Sequence, residues 1–272
     1  MRIAVSIVIY KNGAELKEAI QSVLSTDLDV SLFLIDNSDT DKLKVIADDP
    51  RINYIFNGAN LGYGTAHNIG LKRSIDMGIK YHVVMNPDVS FVPGTLEKLV
   101  EFMEERSEIG ALMPKVYYKN GDLQRLCKLL PTPFDLIGRR FLAKTSWATR
   151  QNKRYELQQF NYEMILNTPC LSGCFMFLRT DTLKKVGLFD EQFFMYMEDY
   201  DLSRRINQYQ PTVFLPSVKI IHRYTKGSYH QSKLLMYHMI SAVKYFNKWG
   251  WFRDKDRERL NIEVLTKIEE SD

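Results

Sequence analysis

The chain has 272 residues, of which 45% are hydrophobic and 26% are charged. These values are typical of a folded α/β domain with room for a small appendage, and they exclude a disordered or low-complexity protein. The net charge of +4 is too small to indicate binding to DNA or RNA, so we expect no nucleic-acid partner.

Two basic segments depart from this near balance. Residues 115–154 contain ten Lys or Arg and two acids, and residues 222–259 contain nine Lys or Arg and three acids. Such clusters suit an anionic partner, for example a diphosphate or an acidic membrane surface. A solvated basic face accounts for each cluster equally well.

The cysteines and the N-terminus bear on the compartment. Cys127, Cys170 and Cys174 cannot all pair, and they lack companion ligands at zinc-site spacing, so we expect them reduced and packed. The apolar run at 3–10 is short for a signal peptide and fits a buried strand better. No stretch reaches the ~20 apolar residues that a membrane span needs. We therefore expect a cytoplasmic protein, with a position at the inner face of the cell membrane left open.

Strand and helix signals alternate through the first hundred residues. Continuous β-rich runs predict strands, and helical spacing of apolar residues predicts helices between them. The strands are predicted at 3–10, 30–35, 51–56 and 81–85, and the helices at 13–25, 66–77 and 93–106. This βαβαβαβ order predicts a Rossmann-like, mainly parallel sheet with helices on both faces.

The second half of the chain is less regular. The pattern weakens over 115–161, and then predicts a strand at 171–178, a helix at 200–207 and a strand at 212–221 that is broken at Pro216. Residues 229–265 read as helical with broad apolar faces. That segment fits either a membrane surface or packing on the domain or another subunit, and we favour packing with a basic rim near the membrane.

Polar groups follow several predicted strands, where α/β sheets bind ligands. Asp36, in Asp-Asn-Ser, can accept a hydrogen bond from a pyrimidine imide or a ribose, although a turn or helix cap fits it equally well. Asn60 and Gly62 precede a predicted helix, and the start of that helix can bind phosphate. The alternative is that these residues form a flexible loop and cap. Asp88, in Asn86-Pro87-Asp88, can bind Mg²⁺ or Mn²⁺, although this tripeptide is also common turn chemistry.

Two further groups of side chains carry chemistry. Glu198, Asp199 and Asp201 are three acids in four residues, so burial raises the pKa of at least one of them, as a general base requires. Acids in the first turn of a helix are the structural alternative. His222 ends a strand and can ligate a metal, while Arg223 and Lys226 can hold phosphate. A lone strand-end histidine is more often structural.

In their order along the chain, these segments resemble a family 2 glycosyltransferase with the GT-A fold, in its rhamnosyltransferase-like branch. The long segment around the three acids is highly specific, and the likeness covers nearly the whole chain. The matching segments are VSIVIY at 5–10, IDNS at 35–38, NLGYGTAHN at 60–68, NPD at 86–88, LSGCFMFLR at 171–179, GLFDEQFFMYMEDYDLSRR at 187–205 and IIHRYTKGS at 220–228.

The resemblance implies a role for each matched residue. Asp199 would be the catalytic base with Glu198 supporting it, and Asp201 would cap or orient the helix. Asp88 and His222 would ligate Mg²⁺ or Mn²⁺. The other implied contacts are with the nucleotide sugar or the acceptor: Tyr10 and Asp36 at the nucleoside, Asn60, Gly62 and Asn68 near the diphosphate, Asn86 beside the metal, and Gly173 and Cys174 in the sugar or acceptor region.

One residue departs from the family's full DxD motif, since Asn86 stands where other families carry Asp. The amide keeps an oxygen ligand but removes a negative charge, and we still expect metal use. The resemblance implies a GT-A domain over 1–228, with a nucleotide-binding half at 1–114 and an acceptor and catalytic half at 115–228. Residues 229–272 would form a C-terminal helical extension.

The expected activity is that of a metal-dependent inverting hexosyltransferase in bacterial surface polysaccharide synthesis. The donor would be a dTDP- or UDP-sugar, with L-rhamnose as the favoured sugar, and the acceptor a glycan or lipid-linked saccharide. Peripheral membrane contact and an oligomer are left open. The alternatives are a non-catalytic sugar-nucleotide-binding or scaffold subunit and, less well supported, a nucleotidyltransferase, since Tyr10-Lys11-Asn12-Gly13 provides little of that class's phosphate loop.

Overall fold

The computed structural model describes residues 1–11, 15–138, 145–223 and 232–271. Its strands form a single mixed sheet. In chain order they are β1 (Arg2–Ile9), β2 (Asp29–Asp36), β3 (Ile52–Phe56), β4 (Tyr81–Met85), β5 (Val89–Ser90), β6 (Ala111–Tyr117), β7 (Leu166–Asn167), β8 (Phe175–Arg179) and β9 (Thr212–His222).

Helices cover both faces of the sheet and extend beyond it. They are α1 (Glu15–Leu24), α2 (Tyr63–Asp76), α3 (Thr95–Glu105), α4 (Ser146–Tyr155), α5 (Thr180–Val186), α6 (Glu198–Asn207), α7 (Ser232–Trp249) and α8 (Lys255–Glu269), with a 3₁₀ helix at Lys42–Ile46 and a π-helical turn at Phe134–Gly138.

The predicted parallel sheet is confirmed for the first four strands. They lie in the order β3-β2-β1-β4 and all pair in parallel. Beyond β4 the order continues β8-β6-β9-β5, with β8 antiparallel to both β4 and β6, and with β5 and β7 antiparallel to β9. The sheet is therefore mixed, and its antiparallel part lies in the half of the chain where the pattern was weak.

Several short elements were not predicted, and three strands were missed or displaced for local reasons. Strand β6 carries Pro114, which cannot donate to a ladder, and the β6–β9 register shifts between Pro114 and Lys115. The predicted break at Pro216 lies in the matching stretch of β9, which continues on both sides of the shift. The strand predicted at 171–178 begins only at Phe175, since 171–174 form a loop.

Side chains of β1 alternate between two core layers. Ile3, Val5 and Ile7 pack with α1 and α3, while Ala4 and Val8 pack on the α2 side. A strand buried on both faces reads as a continuous apolar run, which is why the sequence pattern located it well. The three cysteines are free and buried, as expected.

The two C-terminal helices pack on α6. Arg204 of α6 is almost fully buried and makes two hydrogen bonds, of 2.7 and 2.5 Å, to the carboxylate of Asp254, which also caps α8. The Arg204 guanidinium lies 4.0 Å from the ring centroid of Trp249. Breaking a buried pair of this kind costs about 3–5 kcal/mol, so the extension is anchored to the helix that begins with Glu198 and Asp199.

A buried chain of hydrogen bonds joins α2 to the sheet. The Ser74 hydroxyl donates to the Gly70 carbonyl, so it accepts from Nδ1 of His82 at 2.6 Å. Nε2 of His82 then accepts from the Ser6 hydroxyl, and that oxygen accepts from Nδ1 of His67, both at 2.7 Å. The chain of donors requires His82 to be neutral, whereas His67 donates from Nδ1 and its Nε2 is buried without a hydrogen-bond partner among the described residues.

Acid should therefore destabilise the protein through these histidines. Burial lowers the pKa of His82 to about 3 and that of His67 well below its ordinary value. The unfolded chain binds protons that the folded protein excludes, so stability is complete above about pH 6.5 and falls as pH decreases. By pH 5 the expected loss is roughly 2 kcal/mol per histidine.

Chemical denaturation between pH 7 and pH 5 measures this loss. His82→Gln keeps hydrogen-bonding capacity but removes one titrating group, so its stability should depend less on pH. Gln158→Ala, which changes an exposed and non-titrating residue, is the control and should keep the wild-type slope. An unchanged slope in His82→Gln would contradict the assignment of the acid sensitivity to these buried imidazoles.

Candidate functional site

A cleft of about 400 Å³ lies at the carboxyl ends of β1, β2 and β4. Six of the predicted site residues line it, which supports the expectation that ligands bind at this edge of the sheet. These six are Tyr10, Asn60, Gly62, Asn86, Asp88 and Arg223, and their neighbours in the lining include Asn37, Tyr63 and Met195.

Asparagine side chains shape the floor of the cleft. Asn37 at the end of β2 donates to the Gly62 carbonyl at 3.1 Å and accepts from Asn57 at 2.8 Å. Gly62 has φ of 87°, and a Cβ there would lie 2.3 Å from the Phe194 carbonyl oxygen, so the position needs glycine. The backbone amide of Gly62 donates to the side-chain oxygen of Asn60, and that of Tyr63 donates to the Phe194 carbonyl. These two amides of the predicted phosphate loop thus have protein partners.

Several predicted site residues lie outside the cleft lining, namely Asp36, Asn68, Gly173, Cys174 and His222. Asp36 is fully buried, and its carboxylate accepts from the Tyr54 hydroxyl and the Ser38 amide. Asn68 is buried in α2 and bonds the backbone of Phe189 through both ends of its amide. Both side chains are occupied with holding adjacent segments together. Lys226 lies outside the described residues.

Asp88 and His222 face each other at the cleft. The antiparallel pairing of β5 with β9 sets Val89 opposite His222, and this brings Nε2 of His222 to 3.4 Å from Oδ1 of Asp88. The side-chain nitrogen of Asn86 also lies 3.4 Å from Nε2 of His222. Burial acts to lower the pKa of His222, but Cys174 and Asp88 beside it outweigh burial and raise the pKa to about 10.

This pair suits a divalent cation, because imidazole nitrogen and carboxylate oxygen are both metal ligands. Within the described residues, no group of three His, Cys, Asp or Glu side chains converges as a metal site. A cation held by Asp88 and His222 therefore needs further ligands, which diphosphate oxygens can supply. It must also displace a proton from His222, so its affinity should rise with pH.

Arg223 extends the cationic edge of the cleft. Its amide donates to the Asp88 carbonyl at 3.0 Å, and its guanidinium pairs with Glu18 of α1. The Arg223 Nε–H is buried and has no hydrogen-bond partner among the described residues. An unpaired buried donor beside a cleft favours an anionic ligand.

Glu198 and Asp199 begin α6 beside a second, smaller cavity. That cavity has a volume of about 70 Å³ and is lined by Asp199 together with Lys128, Ser172 and Tyr200. The Asp199 carboxylate accepts from the amides of Gly173 and Tyr200, both at 2.9 Å. Cys174 is buried between the two sites, and its carbonyl accepts from the Asn86 amide.

The carboxyl groups of Glu198 and Asp199 differ in the hydrogen bonds that they accept. Burial raises the pKa of both, and the charge of Asp199 raises that of Glu198 further. Glu198 holds a proton more readily than Asp199. Its Oε2 is buried without a hydrogen-bond partner among the described residues, whereas the Asp199 carboxylate accepts two backbone hydrogen bonds. Of the two, Asp199 is therefore the one that holds a negative charge more readily.

Comparison with known proteins identifies the family. Residues 4–187 match the family model for glycosyl transferase family 2. The chain belongs to glycosyl transferase family 2.

One relative of this glycosyltransferase covers nearly the whole chain. It is the N-acetylglucosaminyl-diphospho-decaprenol L-rhamnosyltransferase of Mycobacterium tuberculosis, which is 28% identical over 90% of this chain and 85% of its own length. This likeness agrees with the rhamnosyltransferase-like branch that the sequence indicated.

Solved structures confirm the GT-A fold. GalNAc-T7 with UDP, GalNAc and Mn²⁺ superposes with a TM-score of 0.65 at 16% identity, covering 99% of this chain and 58% of GalNAc-T7. A Pyrobaculum calidifontis mannosyltransferase with GDP-Man and Mn²⁺ gives a TM-score of 0.56 at 13% identity, covering 99% of this chain and 75% of that one. The chain thus spans less than two thirds of the first of these proteins.

Sequence reasoning missed Tyr63, which lies between the two cavities. Its ring lines the cleft, and its hydroxyl donates to the carbonyl of Gly173, whose amide holds Asp199. Burial raises the pKa of Tyr63 well above its ordinary value. The aromatic residue between two glycines at a predicted helix start was the signal that could have found it.

Sequence reasoning also missed Gln124, which fixes the imidazole of His222. The Gln124 amide nitrogen donates to the His222 carbonyl at 2.7 Å, so its oxygen is left to accept from Nδ1 of the same residue at 3.0 Å. This assigns the proton of the neutral ring to Nδ1 and leaves the Nε2 lone pair facing Asp88.

Replacing Gln124 should therefore weaken metal binding without removing a ligand. For Gln124→Ala we expect Mn²⁺ affinity in the presence of dTDP or UDP to fall by about 10- to 100-fold. Isothermal titration of Mn²⁺ measures the change. Asp88→Ala should lose more, while the exposed Gln158→Ala serves as control. Wild-type affinity in Gln124→Ala would show that this hydrogen bond does not orient the ligand.

Proposed function

We propose that this glycosyltransferase moves a hexosyl group from a nucleoside diphosphate sugar to an acceptor hydroxyl, with a divalent metal and with inversion at the anomeric carbon. One observation carries the proposal. The metal-ligand pair Asp88–His222 and the acidic pair Glu198–Asp199 lie at neighbouring cavities that are joined through Tyr63 and Gly173.

The cleft would hold the donor. A volume of about 400 Å³ is in the range of small-ligand sites, and its lining combines aromatic, amide and cationic groups. Tyr10, which is 45% exposed, offers a ring for the nucleobase, while the Arg223 side chain in the cleft lining offers positive charge for phosphate. Asn60 and Gly62 remain proposed donor contacts because they line the cleft. For Asp36 and Asn68 we propose an indirect role through the segments that they hold.

Asp88 and His222 would hold Mg²⁺ or Mn²⁺, with Asn86 beside them. When bound, such an ion neutralises negative charge on the departing nucleoside diphosphate. Two proteins of similar structure, GalNAc-T7 and the Pyrobaculum calidifontis mannosyltransferase, were solved with Mn²⁺. This supports metal use by the fold and leaves the choice between the two ions open.

Asp199 would act as the base. Its two oxygens each accept one backbone hydrogen bond and keep a lone pair for the acceptor hydroxyl proton. As the proton moves to Asp199, the acceptor oxygen bonds to the anomeric carbon from the face opposite the leaving diphosphate, whose bond to that carbon breaks. Protonated Glu198 would support the base by adding no second charge.

The acceptor and the sugar are proposed from the mycobacterial relative. Its name gives L-rhamnose as the transferred sugar and N-acetylglucosaminyl-diphospho-decaprenol as the acceptor. We propose a similar reaction here, with dTDP-L-rhamnose or a UDP-sugar as donor and a lipid-linked saccharide of surface polysaccharide synthesis as acceptor. Lys128 in the small cavity suits the anionic character of such an acceptor.

In this proposal residues 1–114 bind most of the donor and residues 115–228 supply the base, which matches the two halves predicted from the sequence. Peripheral contact with the membrane belongs to the same proposal, because the acceptor would be lipid-linked. Among the described residues, no helix has the length and apolar character needed to cross a bilayer.

Asp199→Asn tests the base. We expect turnover to fall by about 10²- to 10⁴-fold with donor affinity nearly unchanged, because the substitution removes the proton acceptor and leaves the cleft lining intact. Transfer kinetics and titration of the nucleoside diphosphate report the two effects. Asp181→Asn, another first-turn acid, is the matched control. Turnover above a tenth of wild type would exclude Asp199 as the base.

The stereochemistry of the product tests the single displacement. We expect the anomeric configuration of the product, read by NMR, to be opposite to that of the donor. The two-step alternative would require a covalent glycosyl–enzyme species. A product with retained configuration would rule out the proposed mechanism even if Asp199 proved essential.

A further inference from the structure

The donor cleft carries little positive charge for a site that would bind a diphosphate. Arg223 is the one Lys or Arg among the described residues that line it, whereas Glu15 and Asp88 contribute carboxyl groups. Within the described part of the chain, the Arg223 guanidinium pairs with Glu18 of α1. The cation of the cleft therefore already has an acid as its partner, where a diphosphate would need it.

The ion pair is not needed to fix the backbone on either side of it. The Arg223 amide donates to the Asp88 carbonyl at 3.0 Å, and the preceding residues of β9 pair with β5. Helix α1 is held by its own buried side and by Ser22, whose hydroxyl accepts from the Phe91 amide at 3.1 Å. The two charged side chains can therefore separate while both backbones stay in place.

Glu18 has room to leave the pair. The side chain of Glu18 is 45% exposed and that of Arg223 is 27% exposed, so water screens the pair and weakens it. Glu18 also lines a second cavity of about 570 Å³, whose lining includes Lys119 and Lys219. A displaced Glu18 carboxylate would thus remain between solvent and other cations.

We propose that Glu18 competes with the diphosphate of the nucleotide for Arg223. When the nucleotide enters, the guanidinium exchanges the Glu18 carboxylate for phosphate oxygens, which carry more negative charge and accept two parallel hydrogen bonds from a guanidinium. After transfer, Glu18 takes Arg223 back and so favours release of the nucleoside diphosphate. Glu18 is thus a positioning residue that acts through Arg223. The inference rests on the proposed function only in taking a nucleoside diphosphate as the ligand.

The opposing interpretation is that Glu18 orients Arg223 toward the phosphate. An orienting residue strengthens nucleotide binding and a competitor weakens it, so the sign of the change on removing Glu18 separates the two. Competition is favoured, because an acid paired with the one described cation of the cleft lining lowers the positive potential that a diphosphate meets there.

Titration of the full chain with UDP or dTDP in the presence of Mn²⁺ tests the proposal. Glu18→Gln should bind the nucleotide about two- to fivefold more tightly than wild type, which is the strength expected of an exposed ion pair. Inhibition of transfer by the same nucleotide should increase by a similar factor. Unchanged or weaker nucleotide binding in a folded Glu18→Gln variant would overturn the proposal.

A double-mutant cycle shows whether the gain in affinity passes through Arg223. Glu18→Gln should give no gain in an Arg223→Ala background. Glu15→Gln is the matched control, because it removes a second acid of the first turn of α1, one that lines the cleft. Any gain from Glu15→Gln should persist without Arg223. If the gain from Glu18→Gln also persists, Glu18 acts only through its general charge and the exchange is excluded.

A structure of the wild-type complex tests the exchange without any variant. With Mn²⁺ and the nucleoside diphosphate bound, Arg223 should bond a phosphate and be separated from Glu18. A complex that retains the Arg223–Glu18 pair would contradict the proposal even if Glu18→Gln failed to fold.

A last titration distinguishes failure of this inference from failure of the proposed function. If UDP, dTDP and GDP all fail to bind, the proposed function is wrong. Pyrophosphate with Mn²⁺ then decides the exchange, because Arg223 needs only the diphosphate, and Glu18→Gln should again bind about two- to fivefold more tightly. A chain that binds neither nucleotide nor pyrophosphate would overturn both.

Discussion

The site depends on a strained turn that is stabilised from outside the sheet. Tyr196 and Met197, directly before the acids of α6, both have left-handed backbone conformations, with φ of 69° and 70°. Such conformations cost about 1–3 kcal/mol each in non-glycine residues. The cost is offset because Met197 is buried against α7 and the Phe194 carbonyl accepts from the Tyr63 amide. Packing of α7 on Met197 therefore helps to fix the start of α6, where Glu198 and Asp199 lie.

The same turn is linked to Asp199 by hydrogen bonds. Gly62 lets the Phe194 carbonyl approach the start of α2, where it accepts from the Tyr63 amide. The Tyr63 hydroxyl donates to the Gly173 carbonyl, and the Gly173 amide donates to Asp199. Asp88 lines the larger cleft and Asp199 lines the smaller cavity, so the two proposed functions have separate places. This separation suits the proposed chemistry, because a base that ligated the cation would lose its basicity.

Local signals were enough to predict much of the fold and part of the site. Asp88 and His222 were predicted to share one site because each ends or follows a strand, and the β5–β9 pairing does bring them together. Asp36 was predicted to face a ligand, yet it is buried, since β3 places Tyr54 beside it. Gln124 gave no local signal, because its role arises from a contact 98 residues away along the chain. A single sequence does not reveal which side chains long-range packing brings together.

The C-terminal helices hold part of the site in place, so a truncation tests their structural role first. Met197, in the turn before Glu198, packs on the buried side of α7, and Asp254 pairs with Arg204 of α6. Deleting residues after 228 would remove the packing partners of Met197 and leave the Arg204 guanidinium without its carboxylate, which is strongly destabilising. Loss of activity in such a truncation would therefore report the lost support of α6, and would not show that these helices contact a substrate or a membrane.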